Sequence, residues 1–324
     1  MSTSARVGYF YSPLFLEHIT DRPATNQPQE PHPESPDRLR AIHHELDSSG
    51  LLNRLTCLDP KPATRGELAR VHEPTMLDRV EALAAQGGGL LDEDTAVSPG
   101  SLAAALAAAG AGIQAVDAMM AGTLDRAFLA VRPPGHHATG SRSMGFCLFN
   151  NVAVAAAHAI AHHGIKRVAI LDWDLHHGNG TQDIFYSRGD VFYISLHQYP
   201  LYPGTGAARE AGEGEGHGST LNIPLPAGAG DELFLNKLRT VVAPALKRYA
   251  PQLILISAGF DAHADDPLGS LEVSDEGYRK MTELLLAVAR EHTAGKLISF
   301  LEGGYNLPAL ARSVRAHVEA LLVA

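Results

Sequence analysis

The sequence predicts a single α/β domain with a mostly parallel sheet and helices on both faces. Three observations predict it. Short apolar, β-branched runs suited to strands buried on both sides alternate with longer segments of helical periodicity. Hydrophobic residues make up 45% of the 324, enough to bury a sizeable core. No repeat, low-complexity linker or change of composition divides the chain, so one domain over residues 1–324 is the simplest organisation.

In order along the chain, Arg6 to Tyr11 reads as the first strand. Residues 21–37 form a Pro-rich polar loop ending in His32-Pro-Glu-Ser-Pro-Asp37, and Pro36 leads into a helix that runs to Leu46. Gly66 to Ala85 is amphipathic and helical, with a break near Pro74. Ser98-Pro-Gly-Ser101 opens an Ala-rich run from Leu102 to Ala121, interrupted by Gly110, Gly112, Gln114 and Asp117. Those interruptions make it a buried core helix rather than a membrane span. Strands follow over Arg126–Val131, Val168–Leu171, Val191–His197, Leu221–Leu225, Leu253–Ala258 and Lys296–Leu301. Between and after them, helices are expected over Asn150–His163, Asp231–Tyr249, Asp275–Ala289 and Pro308–Leu322.

The net charge is −10 and no run of like charges occurs. That argues against a nucleic-acid surface, which needs clustered Lys and Arg. Cys57 and Cys147 are the two cysteines and make no Cys-x-x-Cys pair, which argues against a disulfide scaffold or a thiolate zinc site. A reducing cytoplasm is then the expected compartment. No apolar signal segment follows Met1. The 17 histidines raise the expectation of metal or acid–base chemistry without placing it.

Placement comes from the strand ends. Val168-Ala-Ile-Leu171 runs into Asp172-Trp-Asp174-Leu-His176-His177-Gly-Asn179-Gly180, two carboxylates and two imidazoles within six residues. On an extended chain Asp174 and His176 share a face and can converge on one ion, while Trp173 and His177 point away. Three further strands end the same way: in Arg132-Pro-Pro-Gly-His136-His137, in Gly259-Phe-Asp261-Ala-His263-Ala-Asp265-Asp266, and in Glu302-Gly-Gly-Tyr305. In a parallel sheet such ends share one edge, where open α/β sheets hold their ligands. Asp174, His176 and a third ligand such as Asp261 would give zinc two carboxylates and an imidazole with one position open. His136 and His137 face opposite ways and suit acid–base work, each with a carboxylate or amide behind it. Tyr305, after two glycines, can bring a hydroxyl to a polarised carbonyl. The parts add up to metal-assisted hydrolysis of an amide or ester.

These segments, with Gly145-Phe-Cys147, Ser195-Leu-His197 and Pro203-Gly-Thr-Gly206, closely resemble the zinc-dependent histone deacetylase superfamily, the class II branch and its bacterial amidohydrolase relatives above all. The resemblance runs from His32 to Tyr305. It implies the arginase/deacetylase fold with an eight-stranded sheet, and removal of acyl groups from lysine side chains. It implies Asp174, His176 and Asp261 as zinc ligands, His137 as general base and later acid, and His136 as its electrostatic partner. Asp172 is expected to orient His136, and Asn179 to orient His137 where class I relatives carry Asp, leaving His137 less basic. Tyr305 is the catalytic tyrosine. Gly145, Phe146 and Tyr202 match the acyl-lysine tunnel; Tyr202 departs from a position that is often Phe. Leu268 stands where polyamine-preferring relatives carry a glutamate, which favours acyl-lysine over a free polyamine. A structural K+ is implied on the backbone carbonyls of Asp172, Asp174 and His176 with Ser195, and Arg38 matches an arginine below the tunnel that handles acetate.

The expected partners are an acyl-lysine peptide, protein or small acylated amine, with no nucleic acid or membrane, and a homo-oligomer is compatible with the sequence. An acetylpolyamine amidohydrolase and a catalytically silent acyl-lysine binder are the alternatives. A two-metal ureohydrolase would need further carboxylates at strand ends. Other polar residues read more plainly: His158, His162 and His163 as solvated, His197 as a core or supporting histidine, Asp265 and Asp266 as shaping a turn, Cys147 as a buried thiol. His217 and His263 are loop residues without an assignment. Thr205 lacks the Lys and following helix of a phosphate loop.

Overall fold

The structure is a computed structural model, and it describes residues 5–20 and 32–323. Most of the Pro-rich loop expected over 21–37 lies outside the described residues. Ten strands form in chain order: β1 Val7–Phe10, β2 Thr56–Leu58, β3 Gly89–Leu90, β4 Ala96–Val97, β5 Arg126–Leu129, β6 Val168–Asp172, β7 Val191–Gln198, β8 Thr220–Leu225, β9 Leu253–Ala258 and β10 Leu297–Leu301. Eight build one sheet in the order β2-β1-β5-β10-β9-β6-β7-β8, and every pairing in it is parallel. β3 and β4 form a separate antiparallel pair. The central strands are buried throughout, as near-continuous apolar runs require when helices cover both faces.

The helices are α1 Asp37–Ser48, α2 Arg65–Leu68, α3 Pro74–Ala85, α4 Ser101–Met120, α5 Asn151–His163, α6 Asn179–Phe185, α7 Asp231–Lys237, α8 Ala243–Tyr249, α9 Asp275–His292 and α10 Leu307–Leu321. Adjacent residues of β10 show the two layers. Phe300 faces α4, where a Cβ on Gly112 would stand 2.7 Å from its ring. Ser299 faces α10 through a 2.9 Å hydrogen bond with His317. The Ala-rich α4 is long and apolar enough to cross a membrane, yet it packs on α5 and β10 with its small residues buried. Small side chains let the two helices and the sheet approach closely, and that explains the composition without a bilayer.

Seven of the eight sheet strands match the sequence expectations. The eighth, β2, is a three-residue edge strand with exposed side chains and no periodicity to read. The helix expected over Asp231–Tyr249 is interrupted by a π-helical turn at Leu238–Val242. Pro244, just beyond it, has no N–H to give the preceding turn, which favours the wider hydrogen-bond pattern. His158 is a correction. It is buried, not solvated, and its Nε2 lies 2.7 Å from Asp117 on α4, as does that of the half-buried His163. Arg70 donates to His158 Nδ1 at 3.1 Å, which fixes the proton of a neutral ring on Nε2. The two imidazoles therefore serve as donors that hold α5 on α4.

Candidate active site

Strand order brings the polar strand ends together. The segments after β5, β10, β9 and β6 leave neighbouring strands at the same sheet edge. Asp174 and Asp261 are fully buried and His176 nearly so. His176 Nδ1 lies 3.3 Å from Asp174 Oδ1 and 3.2 Å from Asp261 Oδ2, and one ligand atom from each of the three residues falls within 4.8 Å of the others. Zinc–ligand bonds of about 2.0–2.2 Å give a tetrahedron with edges of roughly 3.3–3.6 Å, so the two His176–carboxylate distances suit the ligands of a zinc-sized cation. The remaining carboxylate oxygens are held by backbone: Gly303 N–H donates to Asp174 Oδ2 at 2.8 Å and Leu175 N–H to Asp261 Oδ1 at 2.8 Å.

Charge points the same way. Burial, then the neighbouring Asp174 charge, push Asp261 up to about 7. Burial alone would lower His176, but its hydrogen bonds to Asp174 and Asp261 outweigh that and hold it up at about 10. Two buried carboxylates this close call for a cation between them. A Cβ on Gly303 would stand 2.1 Å from Asp261 Oδ2 and 2.7 Å from Asp174 Oδ2. Gly303→Ala is therefore expected to splay the two carboxylates and lose bound metal; elemental analysis of the purified variant showing a full equivalent would refute that reading of the cradle.

The two imidazoles beside this cluster are treated differently by their surroundings. His136 Nδ1 lies 3.0 Å from Asp172 Oδ2, which also accepts the Tyr193 hydroxyl at 3.1 Å. Burial would lower His136, but the charges of Asp174 and Asp172 and the bond to Asp172 raise it well above the ordinary value. His137 Nδ1 lies 2.7 Å from Asn179 Oδ1. Burial, then the positive neighbours His136 and His176, hold His137 well below the ordinary value. Because Asn179 Oδ1 can only accept, His137 carries its proton on Nδ1 and presents Nε2 as a free base. Neighbouring groups pushed apart in this way divide acid and base roles between them.

Several supports of the site were not assigned from sequence. Glu302 accepts Gly135 N–H at 2.7 Å and His136 N–H at 3.1 Å through Oε2, and the Ser257 hydroxyl at 3.1 Å through Oε1. Tyr193 had a readable signal: it is two residues before Ser195 on β7 and so shares its face. α6 was not expected, being seven residues long and starting within Gly178-Asn179-Gly180, yet the N–H groups of Gly180 and Thr181 in its first turn hold the His136 carbonyl at 3.0 and 3.1 Å. Glu34 is buried between Arg132, at 2.6 Å, and Arg38, at 3.2 Å. Arg38 in turn donates to the Gly304 carbonyl at 2.7 Å and lies over the Tyr305 ring, 5.0 Å from its centre.

A narrow channel of about 90 Å³ leads to the cluster, lined by Asp94, His137, Gly145, Phe146, His176, Tyr202, Leu268 and Tyr305. Asp94 is an addition to the expected wall. Phe146 stands at φ +67 and Gly145 at φ +57, a left-handed turn that costs a bulky residue on the order of 1–3 kcal/mol. It is held by the Phe146 N–H donating to Thr95 Oγ1 at 3.1 Å and by Cys147 N–H donating to the Met144 carbonyl at 3.0 Å. A Cβ on residue 145 would meet the His137 ring at 2.5 Å, so only glycine lets the turn lie this close to His137. The Tyr202 ring packs edge-on to His137, 5.2 Å between centres. Among the described residues none hydrogen-bonds the Tyr305 hydroxyl. Ser195 is buried opposite Asp172 in the β6–β7 register and bonds His197 at 2.8 Å, which makes His197 a supporting residue. No hydrogen bond from a described residue reaches the carbonyls of Asp174 or His176.

Comparison with known proteins agrees with this geometry. The family model described as the histone deacetylase domain matches residues 32–321. Over 311 residues the chain is 43% identical to a histone deacetylase-like amidohydrolase of Pseudomonas aeruginosa, covering 93% of this chain and 82% of that protein. Over 278 residues it is 41% identical to a probable deacetylase of Archaeoglobus fulgidus, covering 85% and 77%. The crystal structure of the HDA15 HD domain superposes with a TM-score of 0.92 at 39% identity, covering 98% of this chain and 88% of that one. The sheet is that of the arginase/deacetylase fold, and the chain belongs to the histone deacetylase family of hydrolases.

Proposed function

We propose that the protein is a zinc-dependent amidohydrolase that removes acetyl or other acyl groups from lysine side chains. The observation that carries this is the meeting, at the bottom of one narrow channel, of the Asp174–His176–Asp261 donor set, a cationic His136, a neutral His137 and an uncommitted Tyr305 hydroxyl. Zinc bound there supplies polarisation of the amide carbonyl and a water made acidic near neutral pH. His137 Nε2 takes the proton of the attacking water and returns it to the lysine amine as the C–N bond breaks. Asn179 keeps His137 in the tautomer this needs, and His136, paired with Asp172, keeps positive charge beside the developing oxyanion. Tyr305 donates its hydroxyl to that oxygen as charge accumulates on it. Phe146 and Tyr202 flank the aliphatic stem, and Leu268 closes the side.

The reading includes a structural K+ held by the carbonyls of Asp172, Asp174 and His176 with Ser195. Its support is the pair of carbonyls left without donors beside buried Ser195. It also includes a cytoplasmic setting, supported by two free cysteines.

The test is steady-state hydrolysis of an acetyl-lysine peptide beside N-acetylputrescine. The peptide is expected to have the higher kcat/KM. Leu268→Glu, which puts a carboxylate at the channel wall, is expected to shift the ratio at least tenfold toward the cationic amine. Preference for the polyamine by the unaltered protein would make it a polyamine deacylase. Turnover of neither by zinc-loaded protein would move the reading to another amide or ester, or to a silent binder.

A further inference from the structure

The sequence reads Asp266 as part of a turn before Pro267. The structure gives its carboxylate more to hold. Asp266 is buried, 7% exposed, and its two oxygens accept three backbone N–H groups. Oδ2 takes Tyr305 at 2.7 Å and Asn306 at 3.3 Å, and Oδ1 takes Leu268 at 3.0 Å. Two of those three residues line the channel.

Apart from Asp266, the backbone of the loop that carries Tyr305 is held by partners up to Gly304 and again through the Asn306 side chain, which bonds the Asp265 carbonyl at 3.0 Å. Arg38 holds the carbonyls of Glu302 and Gly304, Asp174 holds Gly303 N–H, and Phe260 N–H bonds the Gly303 carbonyl at 3.0 Å. Gly304 then turns at φ +123, a conformation open to glycine and costly for other residues. Past that swivel, the bond to Asp266 is what fixes the Tyr305 amide. The phenol oxygen is the far end of a lever anchored at this backbone, and a displacement of about 1 Å at a reacting group costs about 100-fold in rate.

We infer that Asp266 is a positioning residue, whose carboxylate sets the stance of the Tyr305 hydroxyl and ties it to the Leu268 wall of the channel. The inference rests on Tyr305 being the carbonyl donor. The plainer alternative is that Asp266 only stabilises the start of α10, where Asn306 caps Ala309 N–H and bonds the Asp265 carbonyl. A structural role of that kind lowers activity by the same factor whatever stands at 305. A positioning role vanishes once the hydroxyl is gone.

The experiment is a double-variant cycle on zinc-loaded protein with an acetyl-lysine peptide, comparing Asp266→Asn, Tyr305→Phe and the pair, with thermal midpoints alongside. The Asn amide offers one acceptor where the carboxylate has two and turns an NH2 toward backbone donors. Asp266→Asn is expected to lower kcat 10- to 100-fold with KM within threefold. In the Tyr305→Phe background the same change is expected to cost less than threefold. Equal losses in both backgrounds would overturn the inference, as would a single variant within twofold of wild-type kcat. Wild-type activity in Tyr305→Phe alone would overturn it differently, by removing the donor on which it rests. Should Asp266→Asn fail to fold, Asp266→Glu keeps the charge but displaces its oxygens, and it carries the same cycle with the same criteria.

Discussion

Tyr305→Phe is expected to lower kcat for an acetyl-lysine peptide by about 100- to 1000-fold, equivalent to about 3–4 kcal/mol of transition-state stabilisation. KM should stay within a few-fold. The ring is retained, so the channel wall and the Arg38 contact are retained with it. What is lost is one hydroxyl that bonds nothing among the described residues of the resting protein, so its energy is available to the reaction alone. A loss confined to the transition state lowers kcat and kcat/KM together. If KM rose and kcat held, Tyr305 would be a binding residue, and the oxyanion would need another donor.

Metal removal is expected to abolish activity and to destabilise the protein by an amount that grows with pH. Asp261 is pushed up to about 7. A raised carboxylate binds its proton more tightly folded than unfolded, so the stability it contributes is present at low pH and lost as pH rises through about 7. His176, held up at about 10, contributes stability that is complete below its unfolded value near 6.5 and lost as pH rises toward 10. Both groups weaken the metal-free protein on the alkaline side. Metal relieves the repulsion and displaces those protons, so it binds better as pH rises. The gap in thermal midpoint between zinc-loaded and chelated protein should therefore be small at pH 5 and several degrees larger at pH 8. A gap independent of pH would mean that the metal sits elsewhere.

What sequence could show and what it could not divides along physical lines. The three candidate ligands, the two histidines and Tyr305 were legible because each follows a buried apolar run, and parallel strands deliver such ends to one edge. Asp266, Glu302 and Glu34 are as close to the chemistry, but the first two work on backbone N–H groups, and Glu34 joins Arg38 to an arginine 98 residues away. Spacing carries no signal of a partner 39 or 167 residues away. β2 escaped because edge strands need few apolar residues. His158 was misread because a helix that ends in two further histidines looks solvated, while its partner Asp117 lies on a different helix.

The sheet order also bears on how the protein comes to be active. β10, last of the strands along the chain, lies between β5 and β9. Without it the sheet would fall into two pieces. One, β9-β6-β7-β8, carries Asp174, His176 and Asp261; the other, β2-β1-β5, leads into His136 and His137. The donor set lies within the first piece and the two imidazoles follow the second, while Leu297–Leu301 sits between the pieces as the keystone and leads into Tyr305.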